Sequence, residues 1–112
     1  MDTIPVNVQT LIQQLFQQYI EFLGSSENTH LEIVIDPNHQ RYLLVEIGWE
    51  RGRRIYGTLI HIDVIDNKLW IQQDGTEEGI ADELVTLGIP KDQIVLGFKP
   101  LERRKLTEFA AT

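Results

Sequence analysis

The chain has 112 residues, a formal net charge of −7 and no cysteine, and its length is that of one domain. The lack of cysteine excludes disulfides, thiolate nucleophiles and cysteine-ligated metal sites. No apolar run is long enough to span a bilayer, and the start lacks the basic and apolar segments of a secretory signal. We therefore expect one cytoplasmic domain over residues 1–112 with no membrane association. The negative charge disfavours nucleic-acid binding over the whole surface.

Apolar residues at three- and four-residue spacings predict a long helix from about Pro5 to Leu23. Asp2 or Thr3 is placed to cap its start, and Gly24 is placed to end it. The predicted buried stripe of this helix consists of Val8, Leu11, Ile12, Leu15, Tyr19, Phe22 and Leu23.

Four strands joined by tight turns are predicted in the middle of the chain. Turn-forming residues there separate segments rich in β-branched and aromatic residues. The predicted strands are Leu31–Asp36, Tyr42–Gly48, Arg54–Ile65 and Lys68–Gln73. Because each link is short, we expect neighbouring strands to pair antiparallel as a meander.

A second helix is predicted after the last of these strands. Thr76 is placed to cap it, and the helical pattern continues to Leu87 before Gly88 and Pro90 end it. In the tail, the apolar run 94–96 either adds a short strand or wraps the sheet. The predicted fold class is α+β, an N-terminal helix packed on a mostly antiparallel sheet of four or five strands with a second helix after the sheet. An exposed sheet edge invites self-pairing, so a homodimer is one expected assembly.

Positive charge is concentrated in two clusters, the first of which is interleaved with aromatic residues. Trp49 precedes Arg51, Arg53 and Arg54, and Tyr56 follows them. Such a hairpin tip is suited to stacking on bases and gripping phosphates. It is equally suited to an acidic protein surface, since Trp, Tyr and Arg are enriched at interface hot spots. For the three arginines, the alternative that they only form a solvated hairpin end is favoured about as much as a binding role.

The second basic cluster lies in the tail and contains Arg103, Arg104 and Lys105. It falls outside any strongly predicted element, which favours a contact with DNA or a partner protein. For Trp49 and Trp70, packing between sheet and helix is the favoured interpretation, because large aromatic residues dominate cores.

His61 and Asp63 are two residues apart on a predicted strand, so their side chains share one face. An imidazole and a carboxylate in this arrangement occur in acid–base pairs and metal sites. Asp74 and Glu77 reach the same end of the sheet if the third and fourth strands pair, which makes a four-residue polar pocket conceivable. Structural roles on a partly wet sheet face and in a turn are favoured for these residues. No phosphate loop, nucleophile elbow or cofactor signature is present, so we expect no enzyme and name no cofactor.

The run from Trp49 to Phe98 resembles the XisI family, the controlling factors for excision of the fdxN element in cyanobacteria. The string at residues 74–77 is the most specific part of the resemblance. The matching segments are Gly48-Trp49, Arg54-Ile55-Tyr56-Gly57, His61-Ile62-Asp63, Lys68-Leu69-Trp70-Ile71-Gln72, Asp74-Gly75-Thr76-Glu77, Gly79-Ile80-Ala81, Glu83-Leu84-Val85, Gly88-Ile89-Pro90-Lys91 and Ile94-Val95-Leu96-Gly97-Phe98.

The resemblance implies a non-catalytic accessory protein that works with a companion, XisH, to permit site-specific DNA excision by a separate recombinase. The companion resembles nuclease-fold proteins, so a XisH-like protein is the expected direct partner, and DNA is contacted directly or through it. The family offers no catalytic residues to carry over. Two alternatives from the residues stay open. One is direct DNA binding through both basic clusters, which requires them to converge, and the other is a metal-dependent enzyme using His61, Asp63, Asp74 and Glu77.

Overall fold

The computed structural model describes residues 7–23 and 28–112. Helix α1 runs from Val8 to Leu23 within these residues. The predicted start at Pro5, the predicted caps Asp2 or Thr3 and the predicted stop at Gly24 lie outside the described residues. Helical spacing places the most buried residues of α1 on one side, where they face the sheet: Val8, Ile12, Leu15 and Phe16.

The predicted meander is confirmed, and each strand extends slightly beyond its predicted bounds. The strands follow one another in chain order across one five-stranded sheet. The first three pairings are antiparallel and the last is parallel. The apolar run in the tail therefore adds a short strand, and the α+β prediction is confirmed. The strands are β1 (Thr29–Asp36), β2 (Arg41–Glu50), β3 (Arg53–Ile65), β4 (Lys68–Asp74) and β5 (Ile94–Val95).

Two tight turns fix the pairing of β2 with β3 and of β3 with β4. The backbone φ angles are 51° at Arg51 and 77° at Gly52, and 50° at Asp66 and 64° at Asn67. Two consecutive positive φ angles are typical of the turn whose twist matches that of the flanking strands. Glycine and asparagine adopt this conformation at low cost, which explains their place in the sequence.

Short helical segments follow the meander: α2 (Ala81–Thr86), a 3₁₀ turn (Lys91–Gln93) and α3 (Leu101–Arg104). The second helix is where the sequence places it, but it is shorter, and the prediction that Thr76 caps it is wrong. Ile80 precedes α2, and its N–H donates a hydrogen bond of 2.8 Å to Asp74 Oδ2. Thr76 instead accepts the N–H of Gly79 at 3.1 Å. Gly79 has a φ of 87°, so the chain turns once more before the helix begins.

The core lies on one face of the sheet, which we call the helix face because α1 packs against it. Alternate residues of each central strand point to this face. In β3 they are Ile60, Ile62 and Val64, all buried. The other face, which we call the open face, carries the residues between them, among them His61 and Asp63. No helix within residues 7–23 and 28–112 is long and apolar enough to cross a membrane.

Neither tryptophan belongs to this core, so the predicted packing between sheet and helix is wrong for both. Trp49 pairs with Arg54 near the tip of the β2–β3 hairpin and is 53% exposed. Trp70 pairs with Asp63 and lies half-buried on the open face. Strand register decides which face a side chain takes, and it overrides the preference of a large ring for the core.

Candidate functional site: the hairpin arm

The distal part of the β2–β3 hairpin extends beyond β4, whereas β1 pairs with β2 as far as Gly48. Pairing between β3 and β4 begins at Ile60, which lies opposite Asp74. Residues 53–58 of β3 therefore pair with β2 alone. We call residues 45–58 the hairpin arm, and it contains every residue of the first basic cluster.

On the open face of the hairpin arm, one arginine lies against two exposed aromatic rings. The guanidinium of Arg54 is 5.3 Å from the centre of the Trp49 ring and 5.9 Å from that of Tyr56. It also donates a hydrogen bond of 3.3 Å to the carbonyl of Gly48. Tyr56 is 71% exposed. The stack therefore holds a cation and two flat rings at the surface, the combination that dominates binding hot spots.

The charge of this arm is not neutralised within the described part of the chain. There, the arginines and lysines that form ion pairs with carboxylates are Arg41, with Asp63, and Lys91, with Glu108. Arg51, Arg53 and Arg54 form none. The arm also contains Glu46 and Glu50, and Glu50 lies opposite Arg53, so three arginines against two glutamates leave it a formal charge of +1. On a chain with a net charge of −7, this local positive end suits an acidic partner.

The tail cluster is organised differently, because its central arginine is used inside the molecule. Arg104 donates hydrogen bonds to the carbonyls of Ala111 at 2.8 Å and Lys99 at 3.1 Å. Its guanidinium also lies 5.3 Å from the centre of the Trp70 ring. Arg103 and Lys105 are exposed. Of the three residues predicted to contact DNA or a partner, Arg104 therefore has a structural role.

The two basic clusters lie far apart along the sheet. Trp70, which Arg104 covers, pairs with Asp63, and Arg54 is nine residues earlier on the same strand. At a rise of about 3.3 Å per residue, this separation is about 30 Å. The clusters do not converge into one DNA-binding surface, which was the condition of the direct DNA hypothesis.

Replacing Arg104 by alanine is expected to lower the free energy of unfolding by about 1–3 kcal/mol, because two hydrogen bonds and a ring contact are lost. The matched change Arg103→Ala in the same helix should stay within about 0.5 kcal/mol. Urea unfolding of the two variants measures the difference. Equal losses would show that Arg104 does not anchor the tail.

His61 and Asp63 lie together on the open face, as predicted. Asp63 is only 6% exposed and accepts three side-chain hydrogen bonds. The donors are Arg41 Nε at 3.0 Å, His61 Nε2 at 2.9 Å and Gln72 Nε2 at 3.4 Å. Burial acts to raise the pKa of Asp63, but the hydrogen bonds from His61 and Arg41 outweigh it and hold the pKa below its ordinary value. Asp63 is thus an ionised carboxylate that holds β2, β3 and β4 together.

Asp74 and Glu77 do not join this pair, so the conceivable four-residue pocket is not formed. A register shift in the β3–β4 pairing directly after His61 inserts one extra residue on β4. Asp74 consequently pairs with Ile60 and lies on the helix face, away from Asp63. Glu77 is exposed in the following loop. Within residues 7–23 and 28–112, no three His, Asp or Glu side chains are grouped to hold a metal ion.

The stabilising effect of Asp63 is expected to depend on pH. Its folded pKa is lower than its unfolded value, so its contribution is present above the unfolded pKa and is lost as pH falls through the folded pKa. The stability difference between the wild type and Asp63→Asn should therefore hold down to about pH 5 and shrink below about pH 4, near the ordinary Asp pKa. Urea unfolding at a series of pH values measures this. A difference that stays constant into strong acid would contradict the lowered pKa.

The loop after β4 contains residues 74–77, the most specific part of the family resemblance, and its hydrogen bonds explain much of that string. Asp74 Oδ1 accepts the N–H of Thr76 at 3.0 Å and also the Thr76 hydroxyl. Gly75 fits a tight space, because a Cβ there would lie 3.1 Å from Leu59 Cδ1 and 3.2 Å from the Leu59 carbonyl oxygen. Asp74, Gly75 and Thr76 thus each contribute to closing the loop, whereas Glu77 is exposed.

A groove that the sequence did not reveal lies between this loop and the end of α1, with a volume of about 480 Å³. Its charged lining residues in the described chain are the acidic Glu77, Glu78 and Glu83. Tyr19 donates a hydrogen bond of 2.9 Å to Glu83 across it. Burial first, and then this acceptor, raises the pKa of Tyr19 to about 12. The phenol therefore stays protonated and links α1 to α2.

Comparisons with known proteins cover nearly the whole chain. The family model described as XisI protein matches residues 1–111. A solved structure of a XisI-like protein from Anabaena variabilis ATCC 29413 is 32% identical with a TM-score of 0.87, over 96% of this chain and 98% of that chain. The fdxN element excision controlling factor XisI from the same organism is 31% identical with a TM-score of 0.76, over 90% of this chain and 92% of that chain. The comparison with curated proteins finds no match.

The family match extends the resemblance from the central run to the N-terminal helix and the first hairpin. The structural similarity includes the helix and the five-stranded sheet, since it covers almost all of both chains. On this evidence the chain belongs to the XisI family.

Proposed function

We propose that this chain is a controlling factor for the excision of a DNA element, and that it acts in the cytoplasm without catalysis by binding a XisH-like protein. Membership of the XisI family supports the excision role, because a similar solved structure is named fdxN element excision controlling factor. The exposed and unneutralised hairpin arm supports action by binding. It is the single structural observation on which the proposal rests.

The arrangement around Asp63 also favours a binding role over catalysis. A general base needs a free lone pair directed at a substrate proton. The carboxylate of Asp63 instead receives donors from Arg41, His61 and Gln72 and is buried among them. His61 and Asp63, for which the sequence favours a structural role over acid–base chemistry, thus help to join three strands.

The direct test is co-expression with a XisH-like protein, followed by size-exclusion chromatography with light scattering. We expect one discrete complex, and the same measurement determines whether the isolated chain is a homodimer. The double variant Arg53→Glu with Arg54→Glu should weaken binding by about 30-fold or more, the effect of losing a hot spot. The matched double variant Arg103→Glu with Lys105→Glu should bind like the wild type. Two separate peaks for the wild-type proteins would refute the proposed partner.

The excision role itself is tested with a reporter that carries the element borders, its recombinase and the XisH-like protein. We expect excision when this chain is present and its loss when the chain is omitted or carries the charge reversal at Arg53 and Arg54. Equal excision with and without this chain would refute the controlling role.

Direct DNA binding is the alternative outcome. If the isolated chain binds duplex DNA with an affinity that falls steeply with salt, while no complex with the XisH-like protein forms, the arm is a phosphate-binding surface.

A further inference from the structure

We propose that the outer edge of β3, residues 53–58, receives an extended acidic segment of a partner protein as an added strand of the sheet. This inference deepens the proposed function and rests on it for the identity of the partner. An exposed strand edge offers unpaired N–H and C=O groups, and adding a peptide strand there is an established mode of recognition.

The edge is open over the whole segment. On the side away from β2, the last backbone contact of the β3–β4 pair is the hydrogen bond from Gly75 N–H to the Leu59 carbonyl, at 2.7 Å. Beyond it, β3 has no strand partner on that side within the described residues. A Cβ added at Gly57 would meet no atom within 4 Å. Residues 56–58 are also exposed, so this edge is accessible in the described chain.

The chemistry of the occupant follows from the charge of the edge. Arg53 and Arg54 lie on the segment itself, Arg51 lies in the adjoining turn, and none of them forms an ion pair within the described chain. Carboxylates at alternate positions of an added strand share one face, so on the open face they would pair with Arg54, while Arg53 points to the helix face. On the same face, the exposed ring of Tyr56 in β3 would lie beside the side chains of the added strand.

A second copy of this chain is a poorer occupant. Antiparallel self-pairing of the segment brings Arg53 and Arg54 to a strand that contains no carboxylate. The edge strand β1 does contain Glu32 and Asp36, but pairing β1 of one copy with β3 of the next is a head-to-tail contact. Such contacts lead to open chains of molecules unless the rotation closes a ring.

The test is amide hydrogen exchange of the full-length chain, measured at residues 53–58 and, for comparison, at β1. One sample contains the XisH-like protein. Two others contain a short synthetic peptide that alternates glutamate with valine, or its lysine counterpart. We expect exchange at residues 53–58 to slow by about tenfold or more with the acidic peptide and in the complex, and to be unchanged with the lysine peptide and at β1.

Charge reversal at Arg53 and Arg54 should abolish the protection by the acidic peptide, whereas reversal at Arg103 and Lys105 should preserve it. A complex with the XisH-like protein that leaves residues 53–58 unprotected would overturn the inference but not the proposed function. Protection by the acidic peptide without any complex would refute the proposed partner and support the inference. The inference would be overturned if neither the acidic peptide nor the XisH-like protein slowed exchange at residues 53–58, if both peptides protected them equally, or if protection arose only through self-association.

Discussion

Replacing Gly48 by alanine is expected to lower the free energy of unfolding by about 3–5 kcal/mol, which is at the upper end for a single substitution. A Cβ at this position would lie 2.1 Å from the Asn28 carbonyl oxygen and 2.5 Å from Thr29 Cα. Both are backbone atoms, so no side-chain rotation relieves the collision. The start of β1 would have to separate from β2. Thr29 pairs with Gly48 there, and the Trp49 N–H donates a hydrogen bond of 2.9 Å to the Asn28 carbonyl.

The matched control is Gly57→Ala, in the strand that pairs with the same part of β2. A Cβ there meets nothing within 4 Å, and alanine loses less chain entropy on folding than glycine does. We expect this variant to be as stable as the wild type or more stable by about 0.5–1 kcal/mol. Urea unfolding followed by circular dichroism compares the two. Similar stability of both variants would mean that β1 does not approach Gly48 as closely as the structure shows.

The sequence predicts the meander well because the turns and the strand patterns agree. Asp66-Asn67 marks the β3–β4 turn, and the alternating Ile60, Ile62 and Val64 identify the buried face of β3. Local signals of this kind depend on a few neighbouring residues and need no knowledge of distant contacts. The pairing of His61 with Asp63 on one face follows from the same two-residue period.

Apart from the cap of α2, the features that the sequence does not reveal depend on register or on the path of a distant segment. The extra residue on β4 moves Asp74 to the helix face, and no local pattern in the sequence marks that bulge. Trp49 is of a residue type that is common in cores, but it lies exposed on the open face near the hairpin tip. Arg104 differs from Arg103 and Lys105 only because the tail brings it over Trp70.

The structure also changes the interpretation of the candidate site. As contacts for DNA or a partner protein, the sequence favours the tail cluster slightly over the hairpin arginines, because no element is strongly predicted in that part of the tail. The tail instead contains α3, and Arg104 holds it to β4. The hairpin arginines remain exposed and without a carboxylate partner in the described chain. Exposed arginines without a carboxylate partner in the described chain are a stronger reason to expect a binding partner than positive charge in a segment of unknown structure.

Replacing Asp74 by alanine is expected to lower the free energy of unfolding by about 2–4 kcal/mol, because one carboxylate satisfies several donors of the loop before α2. Its oxygens accept the N–H of Thr76 at 3.0 Å and the N–H of Ile80 at 2.8 Å. Ile80 is fully buried. The alanine variant would leave the Ile80 N–H without its acceptor beside the core, and an unsatisfied buried donor carries its full desolvation cost.

Asp74→Asn separates the effect of geometry from that of charge. One amide oxygen replaces two carboxylate oxygens, so the variant can accept from Thr76 or from Ile80, and we expect about half the loss seen with alanine. The control Glu78→Ala removes an exposed acidic residue from the same loop and should change stability by less than about 0.5 kcal/mol. Thermal and urea unfolding of the three variants measures the series. An alanine variant as stable as the control would mean that the loop closes without Asp74, and the string at residues 74–77 would then need an explanation in binding rather than in folding.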